Sequence, residues 1–432
     1  MPSSSQQNVF LRFIYFCLFF LFSATCAAEQ SIEGFSAERL RIIDQRFQSL
    51  VDEQRYAGFT ALIVRNNRQV HQLTLGWQDR EARVAMQPDT IFRIYSMSKA
   101  ITSVAALQLY EKGLFRLQDP VEKWIPAFGQ LRVYQEGDGD KVKTTQLTRP
   151  LTVRDLFTHT AGFTYHFLGK GPVHKLYRDK GIVPGVELLY PEKSDAPPIT
   201  DLASMVEVLS TIPLLHQPGE RMSYSISVDV LGHLVELISG QALDIYLEKN
   251  IFEPLGMKDT GFTVPAEKLH RFAANYTWSD NKLELVDAPK SSRYQHKGRI
   301  HSGGAGLVST AHDYMQFQLM VLNDGQLNGQ RILGRKTIEF ALANHLPEDD
   351  LPRPAWMQQQ GHGLGFALAL DPARMGYMTS INTADWAGAA STFFWIDRKE
   401  KLAAVFMTQK MPIKDNDLIE MGRVTTYQAL VD

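Results

Sequence analysis

The sequence has 432 residues, of which 44% are apolar and 21% are charged, and its formal charge at pH 7 is −2. This composition is that of an ordinary globular protein and excludes disordered, collagen-like and repeat proteins. The length is sufficient for two structural lobes. The near-neutral balance of charge gives no indication of nucleic-acid binding.

The N-terminal segment has the pattern of an export signal. A basic residue precedes an apolar run over residues 13–25, and small residues follow it. This order predicts a cleaved signal peptide over residues 1–28 and a periplasmic or secreted mature domain over 29–432. The competing interpretation is a retained membrane anchor, but a spanning helix needs about 20 apolar residues and this run is shorter.

Both cysteines of the sequence, Cys17 and Cys26, lie in the predicted signal. We therefore expect a mature chain without a disulfide or a cysteine metal site. Lipid attachment at Cys26 is an alternative. It is disfavoured because the preceding Ser23, Ala24 and Thr25 lack the leucine that lipoprotein signals usually carry.

The hydrophobic patterns of the mature chain predict both helices and strands. Ser36 can cap a helix that ends before Gly58, and an almost wholly apolar helix is predicted from Ser96 to Lys112, closed by Gly113. The remaining predicted elements are helices over 201–211 and 227–239 and strands over 59–65, 69–77, 274–278, 283–286, 392–396 and 402–408.

Strand-forming segments thus lie near both ends of the mature chain. We expect an α/β (α+β) fold with an α/β lobe over about 29–96 and 301–432 and a mainly helical lobe over about 97–300. A helix apolar on most sides, such as the one predicted after Ser96, belongs in the core of such a fold.

Ser96 and Lys99 form a Ser-x-x-Lys pattern at the start of that buried helix. Residues three apart on a helix share one face, so a neutral lysine amine can reach the serine hydroxyl and take its proton. A second match, Ser279–Lys282, lies between two predicted strands, where Asp-Asn is favourable turn chemistry. The context therefore favours Ser96 as nucleophile and Lys99 as base.

Four longer segments resemble one family of enzymes. Pro88–Lys99, Leu151–Gly162, Ile251–Met257 and Gly303–Thr310 are similar to the corresponding motifs of class C β-lactamase-related hydrolases and family VIII carboxylesterases. The resemblance extends over nearly all of the mature chain. It implies the β-lactamase/transpeptidase-like fold, with an antiparallel sheet flanked by helices and a mainly helical lobe.

The resemblance also implies a catalytic tyrosine, because Gln217–Ser225 matches the surroundings of the family's second motif and contains Tyr224. A phenolate near Ser96 could relay its proton to the leaving group. The motif departs from the lactamase pattern Tyr-x-Asn, since Ile226 stands where the asparagine would be. An amide that could bind a β-lactam side chain is therefore missing.

The third motif also differs from the lactamase pattern. Lactamases carry Lys-Thr-Gly on the strand beside the nucleophile, whereas this segment reads Asp385–Ala390 and resembles the Trp-x-Gly variant of family VIII esterases. The resemblance implies that the N–H groups of Ser96 and Ala389 bind the oxyanion. Trp386 could stack on an apolar part of the substrate or be a core residue, and Gly388 allows close backbone approach.

The leading hypothesis is an exported serine hydrolase that cleaves carboxylic esters or related acyl compounds through an acyl-enzyme on Ser96, without a cofactor or metal. Its expected partner is a small ester or acyl substrate. A β-lactamase or D-alanyl-D-alanine peptidase is the first alternative, in which Arg299 or another cation would replace the missing lysine. A non-catalytic scaffold is the second. His159 is interpreted as part of a structural motif, because no Gly-x-Ser-x-Gly elbow accompanies it.

Overall fold

The protein is described from a computed structural model. The structure describes residues 31–183, 196, 199–296, 298–346, 351–413 and 416–432. The predicted signal over 1–28, with both cysteines, lies outside these residues.

The centre of the fold is an eight-stranded antiparallel sheet. In chain order its strands are β1 (Gly58–Arg65), β2 (Arg68–Asp79), β3 (Val84–Ala85), β4 (Gln360–His362), β5 (Ala367–Ala369), β6 (Ala384–Ala387), β7 (Phe393–Asp397) and β8 (Leu402–Met407). Their spatial order is β4-β5-β6-β7-β8-β1-β2-β3, so β1 near the start of the chain pairs with β8 near its end. This confirms the predicted fold class.

The described residues form twelve α-helices. These are α1 (Ala37–Asp52), α2 (Ser98–Glu111), α3 (Val153–Phe157), α4 (Pro172–Asp179), α5 (Leu202–Leu209), α6 (Ser227–Ser239), α7 (Leu243–Leu247), α8 (Glu253–Leu255), α9 (Ala311–Leu322), α10 (Arg335–Ala341), α11 (Pro372–Met375) and α12 (Asn416–Tyr427). Ser36 caps α1 as predicted, its side chain accepting from the Arg39 N–H, and Gly240 ends α6 in the left-handed conformation.

The two faces of the sheet contribute to two separate cores, because side chains alternate along each strand. Phe393 and Phe406 stack on one face with ring centroids 4.9 Å apart, and Phe47 of α1 stacks on Phe406. On the opposite face, Trp386 and Phe394 join the larger core that contains α2. Helix α2 thus lies buried between the sheet and the helical part of the chain.

The range 97–300, predicted as mainly helical, also contains two antiparallel ladders. One pairs Arg132–Glu136 with Lys143–Gln146. The other pairs Asn275–Ser279 with Lys282–Asp287. The turn of the second ladder has positive φ at both Asp280 and Asn281, 49° and 59°, which is the conformation that Asp and Asn tolerate in hairpins.

Within the described residues, no single helix has both the length and the apolar character to cross a membrane. The pair Ser227–Ser239 and Leu243–Leu255, bent by 80°, meets the criterion on length and composition alone.

The segment before α2 is fixed to distant parts of the chain through Arg93, which is fully buried. Its guanidinium pairs with the Asp287 carboxylate at 2.5 Å and donates to the Ala273 carbonyl at 2.6 Å. Its backbone N–H donates to Gln409 Oε1. Because a buried guanidinium is costly without partners, these bonds hold the segment in one position.

Candidate active site

Ser96 lies in a 3₁₀ turn, Tyr95–Met97, directly before α2. Tyr95 has φ +42°, an uncommon value for a residue with a side chain. The tyrosine is buried, and Asn275 Nδ2 donates to its hydroxyl at 3.1 Å. Such backbone strain persists only where the surroundings determine the conformation, and it is often found at functional sites.

Lys99 lies one residue inside α2, and its side chain is buried. Its ammonium donates to Ser96 Oγ at 3.3 Å, to the Tyr165 hydroxyl at 3.0 Å and to the Gly304 carbonyl at 2.8 Å. An ammonium has three N–H donors, and all three have an acceptor here. Lys99 is therefore fixed with its nitrogen directed at the Ser96 hydroxyl.

Tyr224 reaches the same serine from the segment before α6. Its hydroxyl donates to Ser96 Oγ at 2.6 Å, and Lys99 Nζ lies 4.7 Å from the centre of its ring. The segment is held by backbone bonds from Met222 N–H to the Pro352 carbonyl and from Ser223 N–H to the carbonyl of His159. The structure thus brings together Ser96, Lys99 and Tyr224, the three residues predicted to be catalytic.

A buried acid lies behind Lys99. Asp229 is fully buried, and its Oδ1 accepts from the Ser302 hydroxyl and from the Gly304 N–H. Burial raises the pKa of its carboxyl, and the nearby Lys99 charge opposes that rise. Since the Gly304 carbonyl accepts from Lys99, Asp229 supports the lysine through one residue, Gly304.

Tyr165 completes this buried network. Burial raises the pKa of its hydroxyl well above 10, and the charges of Tyr224 and Asp229 act in the same direction. Tyr165 therefore stays neutral and accepts from Lys99. A Cβ at Gly304 would lie 2.5 Å from Asp229 Oδ2 and 3.2 Å from the Tyr165 hydroxyl, so only glycine fits between them.

The end of β6 approaches the nucleophile from the sheet. The backbone of Gly388 follows the strand and donates to the Thr392 carbonyl at 2.7 Å. A Cβ on Gly388 would lie 2.5 Å from the Ile94 carbonyl oxygen, which is the close approach that the sequence predicted for this residue. The next N–H, that of Ala389, donates to no acceptor in the described part of the chain, as an oxyanion donor requires.

Aromatic rings surround Tyr224. Trp386 is 7% exposed and its ring centroid is 5.6 Å from that of Tyr224. The Trp356 side chain is 51% exposed, and its ring centroid lies 5.8 Å from that of Tyr224 and 6.2 Å from that of Trp386. Trp386 is thus both a core residue and a wall of the site.

Two buried histidines support this wall. His159 stacks on Trp386 at 6.5 Å, and its Nδ1 is 3.2 Å from Ser225 Oγ. His362 packs edge-on against Trp386 at 5.6 Å. Burial lowers the pKa of His159 well below its usual value and that of His362 to about 4, so both are neutral at pH 7. Their contacts place both rings in the packing around the site.

Ile226 and Arg299 are the two remaining predicted positions. Ile226 is fully buried at the start of α6. The Arg299 guanidinium stacks on the Tyr294 ring at 3.9 Å and donates to the Phe262 carbonyl. In the described residues, no contact joins Arg299 to Ser96.

The sequence did not identify Tyr165, Asp229, Gly304 or Trp356 as site residues. Tyr165 lies three residues beyond the Leu151–Gly162 motif, and this proximity is the one local signal for it. In the described ranges, no group of three or more His, Cys, Asp or Glu is placed to hold a metal ion.

The eight-stranded sheet, the helical lobe and a nucleophile at the start of the helix between them are features of the β-lactamase/transpeptidase-like fold, and the protein is a serine hydrolase of that class. The family model described as Beta-lactamase matches residues 43–423, and the chain belongs to this family.

Several proteins of known sequence or structure are similar to this chain. Esterase EstB of Burkholderia gladioli is 30% identical over 388 residues, which cover 85% of this chain and 89% of EstB. Protein Rv1367c of Mycobacterium tuberculosis is 30% identical over 364 residues, which cover 82% of this chain and 86% of Rv1367c. The solved structure described as EstCE1, a hydrolase with promiscuous acyltransferase activity, has a TM-score of 0.75 and 24% identity, covering 91% of this chain and 99% of EstCE1. These relatives agree with the family VIII carboxylesterase-like resemblance expected from the motifs.

Proposed function

We propose that the protein hydrolyses uncharged carboxylic esters through an acyl-enzyme on Ser96. The observation that carries the proposal is the position of Trp386, which lies 5.6 Å from Tyr224 where a lactamase would present a lysine. A lactam or a D-alanyl peptide has a carboxylate that needs such a cation, whereas a neutral ester does not. The esterase activity named for the relative EstB is consistent with this choice.

In the proposed first half-reaction, the Lys99–Tyr224 pair, both members of which contact Ser96 Oγ, has lost one proton and acts as the base. Ser96 Oγ attacks the ester carbonyl carbon, and the serine proton passes to this pair. The N–H groups of Ser96 and Ala389 stabilise the oxyanion, each contributing about 3 kcal/mol. The carbon–oxygen bond to the alcohol then breaks, and Tyr224 returns the proton to the leaving oxygen.

In the second half-reaction, water takes the place of the alcohol. It loses a proton to Tyr224 as its oxygen attacks the acyl carbon, and the bond to Ser96 Oγ breaks as the serine recovers a proton. The products are a carboxylic acid and free enzyme. This cycle uses side chains and backbone N–H groups of the chain alone.

The test compares catalytic efficiency for p-nitrophenyl butyrate, nitrocefin and a peptide ending in D-alanyl-D-alanine in one buffer. We expect the ester to have the highest kcat/KM, because the lactam and the peptide lack a charge-assisted contact worth about 10- to 150-fold. A higher kcat/KM for nitrocefin would refute the esterase proposal and favour a penicillin-recognising enzyme.

The site assignment is tested with a fluorophosphonate probe and peptide mapping. We expect labelling at Ser96 and not at Ser279, which lies at the end of a hairpin strand. Ser96→Ala should abolish both labelling and ester turnover. Failure of the folded protein to react would favour the non-catalytic scaffold.

We also propose that the mature chain is exported, on the basis of the apolar run over 13–25. Fractionation of cells that express the full chain, with mass spectrometry of the N-terminus, tests this. We expect a periplasmic or secreted product that lacks residues 1–28. An uncleaved cytosolic product would contradict the proposal.

A further inference from the structure

Trp356 is a large exposed aromatic residue beside the nucleophile. Its side chain is 51% exposed, although the next residue of the same 3₁₀ turn, Met357, is fully buried. The turn is thus anchored to the protein while the indole remains in contact with solvent. Covering an exposed apolar side chain that is fixed in position lowers the free energy, so the Trp356 indole favours binding of an apolar ligand group.

The segment that carries Trp356 is joined to the segment that carries Tyr224. The Pro352 carbonyl accepts from the Met222 N–H at 2.9 Å, two residues before Tyr224. The Trp356 ring meets that of Tyr224 nearly perpendicularly, at 88° and 5.8 Å, and that of Trp386 at 70° and 6.2 Å. The two indoles and the catalytic tyrosine therefore form one continuous aromatic surface.

The proton that Tyr224 returns indicates whether the alcohol part or the acyl part of the ester contacts this surface. This step rests on the proposed function. Tyr224 returns the proton to the alcohol oxygen, so that oxygen must lie within about 3 Å of the Tyr224 hydroxyl. The group attached to the oxygen then extends next to the rings that border Tyr224. The acyl group is attached instead to the carbonyl carbon, whose oxygen faces the oxyanion donors Ser96 and Ala389.

We propose that Trp356, together with Trp386, binds the alcohol part of the ester and selects aromatic, uncharged alcohols such as benzyl alcohol. The two indoles offer apolar and ring-to-ring contact to an alcohol group, and the Lys99 ammonium that lies over the Tyr224 ring is already bonded to Ser96, Tyr165 and Gly304. An aromatic ring gains from such contacts beyond its buried area, and an ethyl group does not.

The test varies the alcohol and the acyl group separately. The substrates are ethyl butyrate, benzyl butyrate and ethyl phenylacetate, measured with the wild-type protein, Trp356→Ala and Trp356→Phe. Trp77→Ala is the matched control, because Trp77 is also exposed, at 39%, but lies on β2. We expect Trp356→Ala to lower kcat/KM for benzyl butyrate by about tenfold. The values for the two ethyl esters should change less than twofold, and Trp356→Phe should retain most of the benzyl preference.

Each other outcome overturns the inference. An equal loss for benzyl and ethyl butyrate would make Trp356 a general structural residue. A loss confined to ethyl phenylacetate would place it on the acyl side. If Trp77→Ala lowered the benzyl preference equally, the effect would not be local. If the wild-type protein turned over none of the esters, the proposed function itself would fail, and this inference with it.

Discussion

Replacing Gly388 with alanine is expected to lower kcat/KM for ester substrates by about 10²- to 10³-fold while leaving the fold intact. The added Cβ would lie 2.5 Å from the Ile94 carbonyl oxygen and 2.3 Å from Thr392 Oγ1. The carbonyl belongs to the backbone and cannot rotate away as a side chain could. To reach ordinary van der Waals contact, the end of β6 must move away from the Ser96 turn by about 1 Å.

This displacement affects the next peptide directly, because the N–H of Ala389 follows Gly388. An oxyanion donor acts at about 3 Å from the oxygen that it stabilises, so a shift of about 1 Å removes most of its contribution. The other donor, the Ser96 N–H, belongs to the Ser96 turn and not to the end of β6, so it stays in place. The expected loss of transition-state stabilisation is therefore the contribution of one of the two donors, about 3 kcal/mol.

The assay measures p-nitrophenyl butyrate hydrolysis and thermal unfolding by circular dichroism for Gly388→Ala and for the control Gly261→Ala. A Cβ at Gly261 has its nearest neighbour at 3.9 Å, so the same chemical change meets no obstruction there. Turnover of folded Gly388→Ala within threefold of the wild type would refute the assignment of Ala389 as an oxyanion donor. An equal loss in Gly261→Ala would show that the effect is not specific to the site.

Three further predictions concern the residues around Ser96. Lys99→Ala and Tyr224→Phe should each lower kcat by about 10²- to 10⁴-fold in folded protein, because each removes a proton-transfer partner. Asp229→Asn should lower kcat/KM by at least about tenfold, since Gly304, whose carbonyl holds Lys99, loses a charge-assisted bond at its N–H. His362→Asn should flatten the pH dependence of stability. The pKa of His362 is about 4 in the folded protein, so between pH 6.5 and 4 the unfolded chain binds the proton first and the free energy of unfolding falls by about 3 kcal/mol.

Each of these predictions has a result that contradicts it. Near-normal turnover by Lys99→Ala or Tyr224→Phe would remove that residue from the mechanism. Turnover by Asp229→Asn equal to that of the wild type would show that the carboxylate is dispensable for holding Lys99. Urea unfolding at pH 7 and pH 5 tests the histidine. The exposed His312, replaced by Asn, is the control, and the same flattening there would disprove the role assigned to burial of His362.

Local sequence signals predicted much of the fold. The strand expected over 59–65 is Gly58–Arg65, and the helix expected over 227–239 is Ser227–Ser239, ending at Gly240. These elements have strong periodicity and explicit end signals. By contrast, the 3₁₀ turn at Ser96 was predicted as the first turn of α2. The geometry of this turn depends on the positive φ of Tyr95. Packing imposes this φ, and the sequence gives no sign of it, because tyrosine is not a residue that favours positive φ.

The candidate site likewise contains residues with local sequence signals and residues whose roles depend on distant contacts. Ser96, Lys99 and Tyr224 were identified because motifs surround them. Asp229 resembles any acid in the first turn of a helix, where acids are common, and its role depends on contacts with Ser302 and Gly304 more than 70 residues away. Such long-range contacts are absent from local patterns, so residues that act through them could not be found in one sequence.

The pairing of β1 with β8 means that neither end of the chain can fold into the sheet without the other. Ser96 and the N–H of Ala389 are likewise separated by most of the chain, so a nascent polypeptide that contains the proposed nucleophile does not yet contain the proposed oxyanion donor Ala389. Contacts this distant in sequence form slowly during folding. The proposed ester hydrolysis thus requires the completed chain, and its rate of recovery during refolding would measure the last long-range step rather than the formation of α2.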